Sequence, residues 1–383
     1  MQTLKHTASA LAFFVLFGCD RSDTAPPVSA SVVKPIDGPV FVEPGQNLQS
    51  AIDSAAAATE DRRLVLRPGV YQTEVKQFCL LALTSQHEGV IVDGMAGAEL
   101  SARSAQHPDQ ATVAHVIYCG HGLTSRTIVR NLKVTGALGL ATNSRVPRED
   151  FGQFAGRLKQ GLFFYMDGGA VKVFGQSSPV FENIEFADNE TRLCGGAVSV
   201  EQQGLRDEPV IFRSCRFLRN RCPATGSAVD ILEGSSARLE NCLFADNVGN
   251  YGMDSVLAEF GLSYNEKHGS GALTVFPNST AIVDRCTFTG NWNAIDDHGY
   301  GSRYTNSIFV SNSVSDGSRP GHPYEVDIVQ KDVVHQCIFQ SEHVDLQNTV
   351  NVEQNTFTNE RPEFDEDFVP ANPQYRAFGF RSK

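Results

Sequence analysis

Between Gly168 and Asn247 the chain says nearly the same thing three times, and this repetition constrains its fold more than any other feature. The units read GGAVKV from Gly168 then FENIEFADN, GGAVSV from Gly195 then FRSCRFLRN, and GSAVDI from Gly226 then LENCLFADN. Each couples a glycine-opened, alternating apolar strand to a second strand that closes in Phe-x-x-Asn. The opening glycines lie 27 and 31 residues apart. That period, with two or three short strands per unit and no amphipathic-helix pattern inside it, predicts the coils of a β-solenoid.

The second-strand pattern extends the register in both directions. It recurs as IVRNLKV ending at Val134, VDRCTF at Phe288, YTNSIF at Phe309, VHQCIF at Phe339 and VEQNTF at Phe357. Coils are therefore expected from before Val134 to Phe357. Phe186, Phe217, Phe244, Phe288, Phe309, Phe339 and Phe357 form an inward column, stacked at the inter-strand spacing of about 4.8 Å. Two positions earlier runs a second column of Cys215, Cys242, Cys286, Ser307, Cys337 and Asn355.

The chemistry is expected in a third column. In the glycine-opened strand the valines point inward, so the residue between them points out. Counted along the coils, these outward residues are Lys172, Ser199, Asp230, Thr274, Asp296, Asp327 and Asp345. Aspartate is disfavoured in strands and like charges on neighbouring strands repel, so a bound cation or a catalytic proton would compensate the stack. Carboxylates on adjacent coils, about 5 Å apart, suit a shared Ca²⁺ or a shared proton, and Asp296, Asp327 and Asp345 are the expected metal set. The plainer alternative is that solvated aspartates keep the sheet soluble. Asp296-Asp297-His298-Gly299 is the densest ionisable cluster on this face, with His298 a candidate general acid or base. A lone turn histidine is more commonly a hydrogen-bonding residue.

On these motifs the chain resembles the right-handed parallel β-helix proteins of the pectate-lyase-like superfamily, over roughly Phe41 to Phe357. GGAV followed by FxxN also resembles the repeat of polymorphic outer-membrane proteins. The paired aspartates and His298-Gly299 resemble those of polygalacturonases, but the downstream Arg-x-Lys of those enzymes is missing. The resemblance implies an all-β, right-handed parallel β-helix with an N-terminal capping helix and a C-terminal cap. It further implies an exported protein that binds an extended acidic polysaccharide and cleaves it by β-elimination. In that reading Tyr264, Lys267 or His268, on an insertion from Gly249 to Gly269, supplies the base. Lys172, Asp230 and Arg303 contact the substrate, and Ca²⁺ neutralises its carboxylate. A hydrolase using an aspartate pair and a non-catalytic adhesin or glycan-binding protein remain alternatives, since one fold serves many functions.

The rest of the chain fits an exported protein. Lys5, an apolar run from Ala8 to Phe17 and Gly18-Cys19 make a signal peptide, too short to cross a bilayer core of about 30 Å. Leu16 to Cys19 resembles a bacterial lipobox, in which Cys19 is acylated and anchors the protein to a membrane, in the periplasm or at the cell surface. Ordinary secretion is the alternative. Residues 20–40 read as a flexible tether, 41–358 as the β-helix and 359–383 as a segment folded over the last coil. Asn47 to Ala58 reads as an amphipathic helix capped by Asn47. A net charge of −12 and the lack of a basic patch argue against nucleic acid. A monomer is expected, and Cys194 and Cys222, in equivalent positions of successive coils, are candidates for a disulfide.

Overall fold

The computed structural model describes residues 38–138, 166–204, 208–232, 234–251, 271–312, 324–340, 350 and 353–382. The chain winds into parallel coils, as the repeat requires. Eight strands form one all-parallel sheet, from Gln77–Leu83 and Val113–Gly120 through Val171–Phe174, Val198–Glu201, Val229–Ile231, Leu273–Val275 and Ile295–Asp297 to Val326–Ile328. A longer, 17-stranded sheet takes up the remainder of each coil. One coil contributes Val198–Glu201 to the short sheet and Val210–Arg213 and Arg216–Leu218 to the long one. The next contributes Val229–Ile231, Ser236–Glu240 and Leu243–Ala245. Every strand pairs with its counterpart one coil away, so each side chain sits on its equivalent in the neighbouring coil.

The long sheet bends once per coil at a left-handed residue. Asn131, Asn183, Ser214, Asn241, Arg285, Asn306 and Gln336 take φ values between 51° and 57°. Asparagine tolerates this conformation, and a stacked series of such bends turns the chain without breaking the ladder. The column two positions before each phenylalanine lies just after this bend. The Sγ of Cys215 donates to Phe181 O at 3.4 Å and that of Cys242 to Phe212 O at 3.5 Å. Burial pushes the Cys215 and Cys242 thiols well above their ordinary range, so they are packing residues and not nucleophiles.

The phenylalanine column forms as expected. Successive rings from Phe186 to Phe357 stack with centroids 4.4–5.6 Å apart and planes within 19° of parallel. Three residues beyond each ring, the asparagine of Phe-x-x-Asn is buried and enters a second ladder. The Nδ2 groups of Asn189, Asn220, Asn247 and Asn291 donate to the Oδ1 of the asparagine in the next coil at 2.7–3.1 Å, ending at Asn312. Each Nδ2 from Asn220 onward also donates to a phenylalanine carbonyl one coil back, as from Asn247 to Phe217 O at 2.9 Å. Glu325 ends the row, accepting from Asn312 through both carboxylate oxygens.

The helix Leu48–Ala57 covers the N-terminal coil, with Leu48, Ile52 and Ala55 buried and Asn47 Oδ1 accepting from Ser50 N at 2.8 Å. The C-terminal segment departs from expectation. It runs back along the outer face of the long sheet instead of covering the last coil. Phe380 packs on Leu243 and Ala245, while Phe364, Tyr375 and Phe378 pack on Ile308, Val310 and Ile338. Phe380 N donates to Thr287 Oγ1 at 2.9 Å, and Arg381 N to Asn241 Oδ1 at 2.7 Å. The reason is the sheet surface, which is apolar at outward positions of these strands and is buried by this strap.

Two predictions follow from the ladder. Asn247→Ala strands buried donors on Asn220 and an acceptor on Asn291, and urea denaturation should show a loss of roughly 2–4 kcal/mol. A loss below about 0.5 kcal/mol would mean that the ladder bonds are dispensable. Burial raises the Glu325 carboxyl from 4.5 to about 8, against the opposing Asn312 bonds. A group raised on folding contributes fully below its unfolded pKa, and the contribution is lost as pH rises through the folded value. Thermal melts should therefore show the wild type losing stability relative to Glu325→Gln between roughly pH 5 and pH 9. Parallel curves would refute the assignment.

Candidate functional site

The short sheet carries the third column in the anticipated register. Lys172 pairs with Ser199, Ser199 with Asp230, Asp230 with Thr274, Thr274 with Asp296 and Asp296 with Asp327. Tyr118 extends it one coil earlier, opposite Lys172. The plainer alternative of solvated aspartates does not hold for the described column, however. Lys172, Ser199, Asp230, Thr274 and Asp296 are all buried, and only Asp327 is half-buried.

Glycine turns account for part of the cover. Gly168, Gly195 and Gly226 have φ of 76°, 60° and 62°, which glycine adopts freely. A Cβ on Gly168 would lie 2.9 Å from Ser199 Cβ, and one on Gly226 would lie 2.8 Å from Asp230 Cβ and Oδ1. The repeated glycines thus let each turn lie directly over the column. As a consequence Lys172 cannot contact a polymer: its Nζ lies 2.8 Å from Glu201 Oε2 and donates to Ser199 Oγ at 3.0 Å. Asp230, also without exposure, is equally out of reach.

Partial exposure begins beside Asp296. His298, about a quarter exposed, places Nε2 2.9 Å from Oδ1 of buried Asp296. The Asp296 contact raises the imidazole above its ordinary value; burial opposes this, and the charges of Asp327 and Asp297 add to it. Asp297 turns the other way and is fully engaged. Its Oδ2 accepts from Tyr304 Oη and its Oδ1 from Gly299 N, both at 2.7 Å. Burial and the Asp297 charge push the Tyr304 phenol well up, so this pair is a positioning device under His298. Tyr300, two residues on, is 69% exposed and presents an aromatic face beside the histidine's turn. It was not among the expected site residues, although an aromatic following His-Gly was there to be read.

Arg303 is exposed on the long sheet, in the strand Arg303–Thr305, and not on the column. Tyr264, Lys267, His268, Asp345 and Cys19 lie outside the described residues. Of the expected calcium ligands, Asp296 is committed to His298 and Asp327 is its one described companion. Cys194 and Cys222 are separate thiols, correcting the expected disulfide. Thr225 intervenes, donating from Oγ1 to Cys194 Sγ at 3.2 Å and accepting from Cys222 Sγ at its carbonyl at 3.1 Å.

If close approach of the turns buries the column, Gly226→Ala should destabilise by roughly 1–3 kcal/mol more than Gly45→Ala. Gly45 also has positive φ but has open space around its Cβ position. Equal effects in denaturant titrations would leave only the backbone penalty.

The family comparison agrees with the fold. Residues 196–364 match the family model described as a right handed beta helix region. Two solved structures, the PL6 family alginate lyase AlyGC and an arginine-to-alanine mutant of it, align over 90% of this chain at 9% identity, with TM-scores of 0.30 and 0.32. The chain covers 57% of the length of each of those chains. No curated protein matches it. With parallel sheets, in-register coils and the matched region together, the chain is a right-handed parallel β-helix protein.

Proposed function

We propose that the protein is an exported enzyme that binds an acidic polysaccharide and cleaves it by β-elimination, with His298 transferring the proton. The observation that supports this reading is the partly exposed imidazole held against a buried carboxylate. A carboxylate on Nε2 fixes the ring and its tautomer, and directs Nδ1 to act as the base. In the reaction Nδ1 takes the C5 proton of a uronate. The C5–H electrons form the C4–C5 double bond, and the glycosidic oxygen leaves C4 and is reprotonated. Tyr300 offers a face on which a sugar ring can stack. A cation such as added Ca²⁺ would neutralise the substrate carboxylate. Export through the N-terminal signal and anchoring through Cys19 belong to the same reading.

The test is absorbance near 235 nm, where unsaturated uronates absorb, on pectate, alginate, chondroitin, heparin and hyaluronate, with and without Ca²⁺. His298→Gln should lower kcat at least ~100-fold, the usual scale of a lost general base. Asp296→Asn should shift the acidic limb of the rate profile to lower pH, because neutral imidazole is the active form and Asp296 raises its pKa. No absorbance change but new reducing ends, lost in Asp296→Asn, would favour hydrolysis. Neither signal on any of these polymers would leave glycan binding without cleavage as the better reading.

A further inference from the structure

Further back along the same column, three buried side chains from successive coils converge. Asp167, Cys194 and Asp230 each bring one oxygen or sulfur donor to within 4.8 Å of the other two. Asp167 and Asp230 have no exposure and Cys194 is 3% exposed. Asp167 Oδ1 accepts the Cys194 N–H at 2.9 Å. Its Oδ2 accepts no hydrogen bond, while the Thr225 hydroxyl lies in hydrogen-bonding contact with the Asp230 carboxylate. A buried carboxyl oxygen is normally paired or bound to a metal, and one oxygen of each aspartate lies near the thiol.

We propose that Asp167, Cys194 and Asp230 bind a zinc ion that ties three consecutive coils together. The thiol selects the metal. Calcium and magnesium take all-oxygen sets, whereas zinc combines thiolate with carboxylate in a four-coordinate shell. Ligand distances of about 2.0–2.3 Å require donors roughly 3.5 Å apart in a tetrahedron. Rotation of the three side chains closes the difference, and water completes the shell. Two carboxylates and a thiolate carry three negative charges, which the ion reduces to one, and the field of Lys172 favours the remainder. The Thr225 hydroxyl on Cys194 Sγ supplies the outer hydrogen bond that a ligating sulfur accepts.

Full-length protein purified without chelators should carry about one zinc per chain by elemental analysis. Stripping the ion should lower the melting temperature by several degrees, and Zn²⁺, not Ca²⁺ or Mg²⁺, should restore it. The cobalt form should show a thiolate-to-metal charge-transfer band that Cys194→Ser lacks, and Asp230→Asn should weaken zinc binding at least tenfold. The proposal is overturned if stripped wild type neither competes with a chromophoric chelator for zinc nor changes its melting temperature. A charge-transfer band that persists in Cys194→Ser, or a native Cys194–Cys222 disulfide found by mass spectrometry, would equally overturn it. The wild-type measurements decide the matter even if a variant fails to fold.

Discussion

The structure depends on one constraint: each coil must present to the next the same side chain at the same place. Apolar columns meet it easily, since stacked phenylalanines gain contact along the whole row. Polar residues meet it only if each is both donor and acceptor. Asparagine qualifies, because Nδ2 serves the next Oδ1 and a carbonyl of the coil before, while Oδ1 receives both the side chain and the backbone N–H of its neighbour. Serine would give one donor and aspartate none. That is the physical content of Phe-x-x-Asn, and it explains why the motif recurs with so little variation from Phe186 to Asn312.

How legible this was in the sequence depends on whether a property is set by neighbours along the stack or by partners far along the chain. Register belongs to the first kind. The pairing of Lys172, Ser199, Asp230, Thr274, Asp296 and Asp327 follows from counting inward valines and phenylalanines, and Asn47 announces its helix by local capping chemistry. Burial belongs to the second kind. Strand alternation says that a side chain leaves the core, but not whether something lies over it. The doubled glycines were the available sign, since a turn that needs both positive φ and no Cβ is a turn pressed against something. The C-terminal strap left a similar sign in Leu243, Ala245, Ile308, Val310 and Ile338, which are apolar where an exposed sheet face should be polar. Pairing Cys194 with Cys222 assumed that equivalent positions in adjacent coils meet through their sulfurs, and Thr225 occupies that space.

Burial also changes what the acidic column means. Exposed aspartates on neighbouring strands need little compensation beyond water and salt. Buried ones need a specific partner, because desolvating an ion costs several kcal/mol even after relaxation. The described partners form a series. Lys172 has Glu201 and Ser199, Asp296 has His298, Asp297 has Tyr304 and the Gly299 amide, and Glu325 has Asn312. Each is answered by the group that its coil can supply.

Such a stack separates support from chemistry without separating their residues. The phenylalanine and asparagine columns hold neighbouring strands in register, so a substitution in the third column changes the local chemistry while the backbone beneath it is kept. Threonine at 274 and aspartate at 296 occupy the same place one coil apart, yet only at 296 does the following turn bring an imidazole back onto the carboxylate. The difference lies in that turn, where Asp297 anchors Tyr304 and the Gly299 amide and so fixes the path on which His298 sits. A residue that faces the core on a strand is therefore what aims a side chain at the surface, and the packing of the coil and the orientation of the partly exposed His298 are consequences of the same carboxylate.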